Sequence, residues 1–147
     1  MNHLEVDLLV RVVGSLRGDH TVIYNRPRAS DIVNDHAEHR EVGDIATLVD
    51  SYPDVVTIQE LSQRYPELTF NELQLRVFAS CQRFISVLGG GSYLASYFGG
   101  VNIVYAKRGL EVDYDAFNSW FHHLSGARIV PVQSADGLLE AVEREFG

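Results

Sequence analysis

Five short runs rich in β-branched and aromatic residues alternate along this chain with segments of helical period. That alternation limits the fold more than any other feature. The runs are His20–Tyr24, Val55–Gln59, Arg83–Leu88, Val101–Ala106 and Arg128–Val132. Around them, apolar residues recur at three- and four-residue spacing, which places them on one helix face. Leu4–Leu16 is the first such segment, ended by Gly18, and Val42–Ser51 is the second, stopped by Pro53. Thr69 opens a third, because Glu72 stands where a capping box needs it, and Leu73, Val77, Phe78 and Cys81 share its apolar face. Ser92–Phe98, Ala116–Leu124 (closed by Gly126) and Ala135–Phe146 (capped by Ser134) complete the set. Asp31–Glu41 is polar and without pattern and reads as a loop, and Ser62–Leu68 reads as a connection with one helical turn.

Strands that alternate with helices to the end of a chain are the sequence form of βαβ units. The expected fold class is therefore α/β: a three-layer, Rossmann-like, doubly wound sheet, mainly parallel, of about five strands. Arg83–Leu88, apolar almost throughout, is expected to be central. No linker, repeat or low-complexity tract interrupts the 147 residues, so one domain over 1–147 is expected.

Composition narrows the function classes. The chain is 46% hydrophobic, enough for a real core, and its net charge of −8 opposes general binding to nucleic acid or a membrane surface. The lone cysteine, Cys81, allows neither an internal disulfide nor a thiolate zinc cluster, and fits a reducing, cytoplasmic setting. Met1–Gly18 carries acids and lacks the basic start of a signal peptide. No apolar run approaches the roughly 18 residues of a membrane span.

The most informative stretch runs from Phe84 to Ala95: an apolar strand, then Gly89-Gly90-Gly91-Ser92, then a helix with Tyr93 in its first turn. Glycine lets another group approach the backbone. A helix start offers free N–H groups and a positive dipole end, which suit a phosphate. Ser92 either caps that helix or donates to the same anion. In open parallel sheets, ligands sit beyond the C-terminal strand ends. The stretch is neither a Walker loop nor a full dinucleotide fingerprint. A glycine turn needed only for close helix–sheet packing is the alternative. Asn25, Arg26 and Arg28 follow the first strand, and an arginine fork suits a diphosphate. Glu60 follows the second strand and could accept from sugar or ribose hydroxyls, or be a plain surface carboxylate.

The stretch Thr21–Asp31, a strand running into Asn25-Arg26-Pro27-Arg28 and ending on Asp, resembles the strand and arginine loop of fucosyltransferase-like glycosyltransferases of the GT-B fold. Asn71–Gly100 is similar to the later part of their C-terminal, donor-binding domains, where a helix leads to a strand, a glycine or serine turn and a short helix beside the donor. Here Pro27 separates the two arginines, unlike the paired form of that family. The resemblance implies sugar transfer from a nucleotide-sugar donor, with no essential metal or other cofactor. In that reading Gly89, Gly90 and Gly91 with Arg26 and Arg28 would hold the diphosphate, Ser92 and Tyr93 would orient it, Asn25 would join them as a substrate-binding residue, and Glu60 would meet the sugar or ribose. It also implies a second domain or subunit carrying the acceptor site and the catalytic base. The competing expectation is a non-catalytic Rossmann-like module that binds a nucleotide or a partner protein, with Tyr93, Tyr97 and Phe98 at its interface.

Three other patterns read as structure. Asp113-Tyr114-Asp115 has the DxD form of a metal–diphosphate ligand but precedes a helix, where Asp serves as a cap. His36 and His39, with Asp35 and Glu38, lie in a polar loop without evident further ligands. Phe117, Trp120 and Phe121 read as core or interface aromatics, and His122-His123 as adjacent helix positions that point apart.

Overall fold

The computed structural model describes residues 2–28, 31 and 42–147. The expected loop Asp31–Glu41 therefore lies outside the described residues apart from Asp31, as do Asp35, His36, Glu38 and His39. The chain divides into two compact units, Glu5–Val77 and Phe78–Gly147 with Met1–Leu4. Each is α/β and Rossmann-like in its elements, with parallel strands joined by helices. Among the described residues no helix is long and apolar enough to cross a membrane.

In the Glu5–Val77 unit, α1 (Val6–Leu16) buries Leu8, Leu9, Val12, Val13 and Leu16 and packs against α2 (Asp44–Ser51). Gly18 lies in the turn that ends α1, where the N–H groups of Asp19 and His20 close on the Leu16 carbonyl. β1 (Ile23–Tyr24) pairs in parallel with β2 (Val56–Thr57). Both are shorter than the sequence suggests, and for β2 the reason is local. Thr57 accepts from the Glu60 N–H at 3.2 Å and so caps α3 (Ile58–Arg64), which takes Ile58 and Gln59 out of the strand. α4 (Phe70–Ala79) begins at the expected box: the Thr69 N–H and hydroxyl donate to Glu72 at 2.9 and 2.8 Å, and Thr69 Oγ1 accepts the Glu72 N–H at 3.3 Å.

The Phe78–Gly147 unit holds a three-stranded parallel sheet in the order β3 (Arg83–Val87), β4 (Val101–Tyr105), β5 (Arg128–Val132). The middle strand of this sheet is β4, whose residues 102–105 are all buried, with β3 and β5 on either side of it. Pro131 sits in β5, at an edge of this sheet, where a missing N–H does no harm to the ladder. Asn102 and Val104 face α5 (Gly90–Ser96) and the 3₁₀ turn Phe121–Leu124: Asn102 bonds to Ser92 and Ser96, and Val104 and Ala106 pack with Phe117 and Phe121. Strand alternation puts Ile103 and Tyr105 on the opposite face. α8 (Ala135–Phe146) packs on β4 and β5 through Leu138, Ala141, Val142 and Phe146, at helical spacing. Its start is the expected Ser134 cap, accepting the Gly137 N–H at 3.1 Å.

The segment between β4 and β5 is more broken than expected. α6 (Leu110–Asp113) precedes α7 (Ala116–Ser119), and Trp120, at φ −136°, separates α7 from the 3₁₀ turn. Asp113 ends α6 and Asp115 opens α7 at φ 53°, its carboxylate accepting from Asn118 at 2.6 Å, so the DxD pattern is spent on local structure.

Candidate functional site

The glycine turn lies at the C-terminal end of β3. Gly89 has φ 154° and ψ −168°, a region that only glycine reaches comfortably. Gly90 and Gly91 are different. Neither has positive φ, both are exposed, and a Cβ at either would find nothing within 4 Å. Neither backbone strain nor close packing therefore accounts for them, and the packing alternative is not what the structure shows at these two positions. The helix begins inside the glycines, two residues before Ser92. As its first two residues, Gly90 and Gly91 have N–H groups with no intrahelical acceptor. The Ser92 and Tyr93 N–H groups close instead on the Gly89 carbonyl, at 3.0 and 3.4 Å.

Ser92 does not face a ligand. It is fully buried, its hydroxyl donates to the Gly89 carbonyl at 2.8 Å, and it accepts the Gly89 N–H at 3.2 Å. It shapes the turn from within. Tyr93 donates to Glu111 Oε1 at 2.5 Å and lies against Phe121 (ring centroids 4.8 Å) and Trp120 (6.4 Å, interplanar 20°). Desolvation, then the hydrogen bond and the Glu111 charge, push the Tyr93 phenol up to about 12. Trp120 is 46% exposed, whereas Phe117 and Phe121 are core. The His122 and His123 rings, carried on the 3₁₀ turn, lie 3.9 Å apart.

The end of β4 lies beside the turn. A Cβ at Gly109 would come within 2.9 Å of Leu88 Cδ2, so the loop after β4 abuts the last residue before Gly89. That loop carries Lys107 and Arg108. Asn2 fastens it, donating to the Arg108 carbonyl at 2.6 Å and accepting the Arg108 N–H at 3.2 Å. Asn2, Arg108, Gly109, Leu110 and Asp113 line an open hollow of about 500 Å³. No ion pair involves the Arg108 guanidinium among the described residues. Sequence reasoning missed Arg108; its signal was a basic pair directly after an apolar strand, Lys107-Arg108 after Val101–Ala106.

The other expected site residues belong to the Glu5–Val77 unit. Arg26 does not offer a free fork there: its guanidinium pairs with the Asp44 carboxylate, which also accepts from Tyr24 Oη at 2.5 Å. The reason is burial. The Asp44 side chain is only 5% exposed, and a carboxylate in that position needs a cation and donors. Asn25 Oδ1 accepts from Gln74 at 3.3 Å. Arg28 is half-exposed and holds Asp31 through its backbone N–H (2.8 Å) and side chain (3.4 Å). Glu60 sits in the first turn of α3 and pairs with Arg64 at 2.5 Å, as a surface carboxylate does. Gln59 donates to the Arg26 carbonyl (2.8 Å) and to Asp31 (2.9 Å) and ties this loop to α3.

Fold and site together define a Rossmann-like α/β protein with an open glycine turn at the C-terminal edge of a parallel sheet. No family model matches the chain, and comparison with curated proteins and with solved structures returns no match.

Proposed function

We propose that this chain is the nucleotide-sugar-binding domain of a glycosyltransferase, with the donor's diphosphate held at the Gly89–Gly91 turn. One observation carries the reading: Gly90 and Gly91 present bare backbone to open space at the strand edge where α/β proteins bind ligands. Two adjacent unpaired N–H groups suit a phosphate oxygen. The cation in this reading is Arg108, from the next strand, in place of Arg26. Asn25, Arg28 and Glu60 have no assigned role in it. Trp120, beside Tyr93, offers a ring face near the turn.

In the reaction, the bond between the sugar's anomeric carbon and the diphosphate breaks, and a bond from that carbon to an acceptor oxygen forms. The acceptor's proton passes to a base on the second domain or subunit that this reading requires. This chain's contribution is to stabilise the charge on the departing nucleotide diphosphate through fixed amides and a guanidinium. Calorimetry against UDP, GDP, ADP and their sugar conjugates tests it. The expected result is binding of at least one, abolished by Gly90→Val and by Arg108→Ala. Failure of the wild-type chain to bind any of them overturns it.

A second reading is favoured by the exposure of Leu110 (67%) and Tyr114 (76%) around α6. Apolar side chains held out in this way suit a non-catalytic module that docks a partner protein. That reading predicts no nucleotide binding, so the same calorimetry separates the two.

A further inference from the structure

Ser92 and Ser96 on α5 and Asn102 on β4 are all 0% exposed. They stand in a helix–sheet layer otherwise built from Phe78, Phe84, Ala95, Val104 and Phe121. For stability alone an apolar residue at position 102 would serve as well, because buried polar groups gain little over a well-packed hydrophobe. What the polar set adds is direction. Asn102 Nδ2 donates to the Ser92 carbonyl (3.2 Å) and to Ser96 Oγ (3.0 Å), and its Oδ1 accepts from Ser86 Oγ on β3 (2.8 Å). Ser96 Oγ in turn donates to the Ser92 carbonyl at 2.8 Å. One axial and rotational setting of α5 on β4 satisfies all of these bonds together. At the other end of the same residue, the Ser92 hydroxyl closes on both polar groups of Gly89.

We infer that Asn102 is a positioning residue: from the middle strand it fixes α5 through Ser92 and so holds the Gly89–Gly91 backbone in one conformation. The use of that held turn for a diphosphate rests on the donor-site reading; the holding itself does not. A preformed turn binds its ligand without first losing backbone entropy, which is what a site made of glycines otherwise lacks.

The test is amide hydrogen exchange, followed by NMR, on the whole chain in two variants. Asn102→Asp turns a donor into an acceptor facing the Ser92 carbonyl. Asn102→Leu with Ser96→Ala removes the polar link from β4 to α5 and leaves the Ser92 hydroxyl on Gly89. In both, the amides of Gly89, Ser92 and Tyr93 are expected to lose protection by at least about tenfold, the weight of one lost hydrogen bond. The amides of Leu138 and Val142 in α8 are expected to keep wild-type protection, and any nucleoside diphosphate that binds the wild type is expected to bind the variants correspondingly less tightly. Should the Asp variant lose protection everywhere, the double variant decides. Unchanged turn amides, an equal loss in α8 of the double variant, or failure of the double variant to fold would each overturn the positioning role. If wild type binds no nucleoside diphosphate, the donor reading falls and the exchange comparison still decides the role of Asn102.

Discussion

The guanidinium of Arg26 lies on the buried carboxylate of Asp44, the first residue of α2, so the cation that follows β1 is fastened to its own unit. Arg26→Ala is expected to lower unfolding free energy by about 1–3 kcal/mol, since it strands a buried acceptor; the partial exposure of Arg26 sets the lower end. Nucleoside-diphosphate affinity is expected to stay at the wild-type level. Urea unfolding and calorimetry on one preparation check both. Lost affinity with unchanged stability would return Arg26 to the phosphate.

The same cluster sets a pH dependence. Burial alone would raise the Asp44 carboxyl, but hydrogen bonds from Tyr24 and Arg26, with the Arg26 charge, reverse this and hold it below the usual carboxylate range. A carboxyl lowered on folding binds fewer protons in the folded chain than in the unfolded one. Its stabilisation is complete above the unfolded pKa of about 3.9 and is lost as pH falls through the folded value. The urea midpoint should therefore drop between about pH 5 and pH 3, and Asp44→Asn should flatten that drop.

Gly90→Val and Gly91→Val should each change unfolding free energy by no more than about 1 kcal/mol, because the added atoms meet nothing within 4 Å. Diphosphate binding should nevertheless vanish. A thermal melt beside a titration separates the two effects, and a large loss of stability would mean that these glycines serve the fold.

Tyr93 and the single tryptophan form an optical pair, with ring centroids 6.4 Å apart. A phenol raised to about 12 stays protonated in the folded chain. Its contribution is full below the unfolded pKa of about 10 and fades as pH climbs through the folded value. Trp120 emission should fall with a midpoint near the Tyr93 pKa as the phenolate forms, and Tyr93→Phe should abolish that step.

Gly100 precedes β4 at φ 68°, where a Cβ would fall 2.2 Å from the Gln82 carbonyl oxygen. Two penalties therefore act together, left-handed backbone and a clash with main chain. Gly100→Ala is expected to cost at least about 2 kcal/mol by urea unfolding.

Capping chemistry was readable wherever a side chain meets its own next turn. Thr69 with Glu72 and Ser134 with Gly137 behave as their spacing says, and the helix that Ser134 opens runs over Ala135–Phe146 as expected. Thr57 with Glu60 carries the same spacing, but its run of β-branched residues reads more strongly as strand, which hides the start of α3. The glycine turn was legible as an opening. Which of its residues face outward was not, because burial of Ser92 depends on the packing of α5 on β4, where Asn102, ten residues on, holds the Ser92 carbonyl.

The sequence by itself determined the α/β class, the five strands and the places where glycine opens the backbone, since each depends on residues within a turn or two of one another. Tertiary structure alone decided that β4 is the middle strand of its three-stranded sheet, that Arg26 is spent on Asp44, and that the loop after β4 abuts Leu88 at Gly109. Those outcomes hang on which distant groups must be satisfied once water is excluded. Burial sets that demand, and no local pattern encodes it.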